Sequence, residues 1–218
     1  MNTLTKLALG LIGHNRPRPA EGDSSPSLSL PPPRLDGGLP LMQALSRRQS
    51  QRAFSPEPLD EATLGDLLWA AAGVNRPDLG GRTAPSAMNA QEVLLYVALP
   101  QGLYRYQPSA HELRRVVASD VRGLTGYQDF VDDAALDLIY VADHGRMALV
   151  PAAQRTAYAH AAAGAMAQNV YLACASAGLA TVVRAWFDRE ALARTLNLSN
   201  DEQLLLAQTV GRPMESQP

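Results

Sequence analysis

Arg48-Gln49-Ser50-Gln51-Arg52 and Thr83-Ala84-Pro85-Ser86-Ala87-Met88-Asn89-Ala90-Gln91 are the two stretches on which the reading of this chain turns. In extended backbone, alternate residues point the same way, so the first stretch aims two permanent cations and a hydroxyl in one direction. Guanidinium groups hold phosphate oxygens through paired donors, which makes this spacing a phosphate fork. The second stretch is a short polar turn whose Pro, Ser, Asn and Gln suit the heteroatoms of a flat heterocycle. Together they point to a phosphorylated cofactor. Taken alone, the arginines also fit solvated charges at a helix end, and Ser86 and Asn89 fit plain turn residues.

Around these stretches the chain reads as one α+β domain. Its 218 residues are enough for a substantial core, and 46% apolar with 18% charged residues is ordinary for a globular protein. A net charge of −2 argues against a nucleic-acid partner. The single cysteine, Cys174, excludes an intrachain disulfide and a cysteine-rich metal site. No segment carries about 18 uninterrupted apolar residues, so no membrane span is expected. The apolar run after Lys6 is short and lacks a small-x-small cleavage site. A cytoplasmic location is the expectation, with export to the periplasm as the alternative.

Residues 1–38, rich in Pro and Ser, are expected as a flexible arm, 39–213 as the folded domain and 214–218 as a short tail. Helical periodicity predicts helices over 41–48, 61–74 (capped by Asp60), about 110–118, 156–177 and 189–196 (capped by Asp188). Strands are predicted over 93–99, 103–106, 136–142, 180–187 and 203–211, the first two forming a hairpin. The run over 136–142 is almost wholly apolar and reads as central. The helix over 156–177 is alanine-rich nearly all round, reads as buried, and ends at Gly178.

This order of elements resembles the nitroreductase-like FMN family, in particular its small members related to thiazoline-oxidising dehydrogenases. The resemblance spans roughly residues 39–213. It rests on Arg48-x-Ser50-x-Arg52-Ala53-Phe54, Leu67-Leu68-Trp69-Ala70, Arg82-Thr83-Ala84-Pro85-Ser86, Asn89-x-Gln91, Gln168-Asn169 and Gly178-Leu179-Ala180-Thr181. It implies an α+β sandwich with a mostly antiparallel central sheet, flanking helices and a long buried helix at a homodimer interface, where FMN binds. Arg48, Ser50 and Arg52 would then hold the phosphate and ribityl chain. Pro85, Ser86 and Asn89 would reach the isoalloxazine from the other subunit, and Gln128 would contact the ring. Arg184 and Ala185 would supply the backbone turn near flavin N5 and O4. Arg212 would stand in for basic ligands that longer relatives place beyond this point.

The chain departs from the family pattern in carrying Ala185 where glycine is frequent and Ala134-Ala135 where Ala-Pro is usual. The implied activity is hydride transfer from NAD(P)H through FMN to a nitroaromatic, quinone or similar small acceptor, in ping-pong fashion. The alternatives are an azoline-committed dehydrogenase and a non-enzymatic flavin-binding or storage protein. The only lysine is Lys6, and no tyrosine–lysine pair suited to azoline oxidation is apparent. Neither a hydrolytic triad, a metal-protease motif nor a strand-borne GxGxxG is present.

Overall fold

A computed structural model describes residues 2–11, 17–19 and 25–214, so the ends of the expected arm and tail at 1, 12–16, 20–24 and 215–218 lie outside the described residues. The chain opens with α1 (Thr3–Leu11), β1 (Arg18–Pro19) and β2 (Ser27–Ser29), then α2 (Leu41–Arg47) and α3 (Glu61–Ala72). A small hairpin, β3 (Val74–Arg76) and β4 (Gly81–Arg82), leads to β5 (Val93–Leu99), β6 (Gly102–Gln107), β7 (Glu112–Val117) and β8 (Ser119–Asp120). The second half runs β9 (Leu136–Asp143), α4 (Ala152–Ala177), β10 (Ala180–Arg184), α5 (Arg189–Leu196) and β11 (Glu202–Gly211).

The main sheet has seven strands in the order β10-β11-β9-β5-β6-β7-β2, every neighbouring pair antiparallel. Its centre is β5, buried along its whole length because both faces are covered. Val93, Leu95, Val97 and Leu99 face α3 and α4, while Leu94, Tyr96 and Ala98 face the layer containing α5. The predicted caps form as expected. The Asp60 carboxylate accepts from Thr63 N–H at 2.8 Å, and Asp188 accepts from Ala191 N–H at 2.9 Å. Gly178 ends α4 in the left-handed conformation, with φ of 69°.

One predicted element is corrected. The helix expected near 110–118 is strand β7, because Leu113 packs inward with Arg114 outward, and the β-branched pair Val116-Val117 suits pleated backbone. Pairing to β6 on one side and β2 on the other decides against the local helical preference.

The main sheet also takes in a segment upstream of residue 41. Leu30 is buried, its N–H donates to His111 O, and the His111 ring bridges Tyr106 OH and Pro31 O at 2.8 and 2.9 Å. Gly65 sits mid-helix in α3, which costs about 1 kcal/mol relative to alanine. Its place is explained by the crossing chain: a Cβ there would stand 3.1 Å from Pro31 O. Farther upstream, the Lys6 ammonium is buried against Asp132 at 2.8 Å and Gln128 O at 3.0 Å.

One side of α4 is buried through Ala159, Ala163, Met166, Val170 and Cys174. Ala157, Ala161, Gly164 and Gln168, spaced as one helical stripe, face solvent in the single chain. Among the described residues no helix is long and apolar enough to cross a membrane.

Candidate functional site

The segment after α2 is fixed by its backbone, which frees its side chains. Gln51 N–H donates to Thr181 O of β10 at 3.0 Å, Ser55 N–H to Arg212 O at 2.9 Å, and Met214 N–H to Ala53 O at 3.1 Å. Phe54, 3% exposed, anchors it against Phe130, Ala134, Ala180 and Val182. Arg48 is half-buried, with its guanidinium 5.4 Å from the Tyr171 ring centre. Ser50 Oγ shares a hydrogen bond with Tyr171 OH at 2.8 Å, and that phenol also accepts Val183 N–H at 3.0 Å. Arg52 is exposed. Among the described residues neither Arg48 nor Arg52 has a carboxylate partner. Arg212 joins this segment through its backbone, but its guanidinium lies toward Glu57 and Asp60, at 3.6 and 3.8 Å. A cavity of about 510 Å³ beside the segment is lined by Arg47, Arg48, Gln51, Gly178 and Pro213 among others. Ser50 and Arg52 are not in its lining.

The second group is the loop carrying Pro85, Ser86 and Asn89. Ser86 Oγ accepts Gln91 N–H at 2.9 Å, and the Gln91 amide reaches Gly80 O at 2.6 Å. Met88, Asn89 and Gln91 all adopt positive φ, at 53°, 53° and 52°. Non-glycine residues rarely take that conformation, and such loops persist only where surroundings hold them. Here the Ser86 and Gln91 bonds tie the turn itself, while upstream of it Asn169 of α4 donates its amide to Ala70 O at 3.0 Å and Thr83 O at 3.4 Å. Pro85 and Ser86 line a cavity with Tyr158, Ala161 and Ala162. The two groups therefore stand at different levels of α4, near residue 160 and near residue 171. At about 1.5 Å per residue that is a separation of roughly 17 Å along the helix.

The third group gathers Gln128, Arg184 and Ala185. Arg184 is 8% exposed, and its two terminal guanidinium nitrogens are engaged inside the fold, while its Nε is buried without an acceptor among the described residues. It donates to Asp137 Oδ1 at 2.6 Å, to the Thr125 carbonyl and to the Thr209 hydroxyl, while Thr209 Oγ1 also donates to Asp137 at 2.5 Å. Burial pushes the Asp137 carboxyl up, against the pull of the Arg184 guanidinium and the Thr209 hydroxyl. Gly126 is required beside it, since a methyl there would run into the Arg184 guanidinium and the Gln128 amide. Gln128 Oε1 is buried with no donor among the described residues. Ala185 and Trp186 are exposed at the end of β10, where the Trp186 ring packs 5.2 Å from Tyr127.

Tyr171, Asp137 and the buried Arg122–Asp120 pair were not singled out from the sequence. A carboxylate within the otherwise apolar Leu136-Asp137-Leu138-Ile139-Tyr140 run is the signal that a buried cation must answer it.

The sequence model of the nitroreductase family matches residues 45–212. A protein of Methanocaldococcus jannaschii named "putative nitroreductase" is 33% identical over 186 residues, covering 80% of this chain and 92% of its own. The crystal structure of a "putative nitroreductase" from Ralstonia eutropha JMP134 is 51% identical, with a TM-score of 0.89 over 93% of this chain and 96% of that one. A chain of the Escherichia coli microcin synthetase McbBCD complex shares the fold at 21% identity, with a TM-score of 0.69 over 78% of this chain and 70% of that one. The matched span runs from Leu45 within α2 to Arg212 and takes in all three residue groups. The chain belongs to the nitroreductase family of flavin oxidoreductases.

Proposed function

We propose that this protein binds FMN and is an NAD(P)H-dependent reductase of small acceptors. The observation that carries the reading is a pair of arginines flanking a hydroxyl on a pinned backbone, with no carboxylate among the described residues answering either. Two unanswered guanidinium groups suit a phosphate dianion. Gln128 Oε1, without a donor among the described residues and close to Gly126 as the Arg184 guanidinium is, suits a donor on a ring edge. When bound, FMN supplies the two-electron chemistry, taking hydride from NAD(P)H and giving it to a nitroaromatic, quinone or similar acceptor in ping-pong order.

The chain's own residues bind and orient. Arg48 and Arg52 hold the phosphate, and Ser50, kept in place by Tyr171, holds the ribityl chain. Arg212, half-neutralised by Glu57 and Asp60, contributes less. Backbone at Arg184 and Ala185 faces the ring, held rigid by the buried Arg184–Asp137 pair beneath it. Pro85, Ser86 and Asn89 come from a second copy of the chain, packed along the exposed stripe of α4 as a homodimer. The azoline-committed alternative finds less support, because the only lysine, Lys6, is buried against Asp132 and Gln128 O.

Steady-state turnover with NAD(P)H and a quinone tests the reading. Parallel double-reciprocal lines are expected; bound flavin without turnover would favour storage instead. Subunit sharing has its own test. Mixed dimers of Arg48→Ala/Arg52→Ala and Ser86→Ala/Asn89→Ala chains should regain one intact FMN site per mixed dimer. No regain would place both halves of each site in one chain.

A further inference from the structure

We propose that the wedge between the diverging ends of β5 and β6 is a second anion site, built for a phosphate group and separate from the flavin site. The β5–β6 ladder runs from Leu99↔Gly102 to Tyr96↔Arg105 and stops there, although β5 begins at Val93 and β6 continues to Gln107. The opening holds a cavity of about 220 Å³ whose lining includes Arg82, Arg105, Arg114 and Arg146, with Gln107 and Ser109 as further polar groups.

The charges in this wedge do not balance. Glu112 is the one carboxylate in the lining, and it is taken by Arg114 at 2.7 Å. Arg146 is answered by Asp143 at 3.0 Å from outside the lining. Among the described residues Arg82 and Arg105 have no carboxylate, and Arg82 Nε is buried without an acceptor. Burial, then the neighbouring Arg146 and Arg105 charges, pushes the Arg82 guanidinium down, the mark of cations gathered without a counterion. An oxyanion in the wedge relieves that repulsion and satisfies the free donors, and two guanidinium forks match a phosphate dianion better than a single carboxylate. The cavity is smaller than the usual site for a drug-sized ligand, so the occupant is inorganic phosphate or the phosphate end of a small ester.

The site also touches the loop before it. Arg82 lines a second, narrower cavity with Ala84, Pro85 and Ser86, so an anion held by Arg82 steadies the Thr83–Ser86 turn.

Inorganic phosphate is the probe, titrated by calorimetry at constant ionic strength into the full-length Arg48→Ala/Arg52→Ala protein, which lacks the proposed flavin-phosphate fork. Saturable binding is expected there. Adding Arg105→Gln, at a half-buried residue with no carboxylate partner among the described residues, should weaken it at least tenfold, and Arg82→Gln should do the same with circular dichroism unchanged. Absence of saturable binding in the double variant overturns the site, as does binding that both added substitutions leave intact. FMN uptake by the unaltered chain, measured in parallel, reports on the flavin reading independently.

Discussion

Arg184 and Arg48 are the same residue type at opposite ends of a physical scale. Arg184 is buried against Asp137 at 2.6 Å, with Thr125 and Thr209 as further acceptors for its terminal nitrogens. Arg48 is half-buried, lies over an aromatic ring and has no carboxylate partner among the described residues. A buried cation is answered because removing it from water costs several kcal/mol, and only a matching anion with further hydrogen bonds offsets that. An unanswered cation at the surface carries no such cost and is free to meet a ligand. The contrast separates arginines that build the fold from arginines kept for binding, and burial plus pairing is the criterion.

The strongest way to break the comparison is Asp137→Ala. Leaving Arg184 buried and unpaired is expected to cost about 3–5 kcal/mol, read as a drop in the urea midpoint. A change under about 1 kcal/mol would show that the pair is not structural. Arg48→Ala/Arg52→Ala is the converse experiment. Stability should stay within about 0.5 kcal/mol, as at other surface sites, while FMN affinity falls about 100-fold or more, since hydrogen bonds to charged groups contribute about 1.5–3 kcal/mol each. Equal losses of stability and affinity would erase the distinction.

Tyr171→Phe sits between the two classes, because its phenol serves both Val183 N–H and Ser50. An amide left without its acceptor costs about 1–3 kcal/mol, with a smaller loss of FMN affinity. The smallest effect is expected at Glu92. Its carboxylate is buried, neither oxygen has a hydrogen-bond partner among the described residues, and burial pushes it up. A carboxyl raised in the fold lowers stability as pH rises through its unfolded and then its folded value. Glu92→Gln should therefore raise the urea midpoint at pH 7, with the gain shrinking toward pH 4. A lowered midpoint at pH 7 would mean that Glu92 has a cation to answer.

Much of the fold was legible before the structure. The apolar 93–99 and 136–142 runs gave the central strands β5 and β9, and Asp60, Asp188 and Gly178 marked helix ends that the structure keeps. Sequence periodicity suggests a helix at β7 because its inward Leu113 and outward Arg114 fit either period over so short a run, and sheet pairing makes the choice. The candidate site was legible as a set of residues but not as an arrangement. Spacing cannot tell that the Arg184 side chain turns inward to Asp137, or that Tyr171, far along the chain, holds Ser50. It also cannot show that the Arg212 guanidinium leans toward two acids. Those facts depend on which strands become neighbours, and local sequence does not carry that information.

The most direct test of flavin binding through unanswered arginines is the visible absorbance spectrum of the purified full-length protein, with the released chromophore identified by mass. One FMN per chain is the expected result. A colourless protein that also fails to take up added FMN would contradict it, leaving the family membership and the fold but removing the assigned role of Arg48 and Arg52.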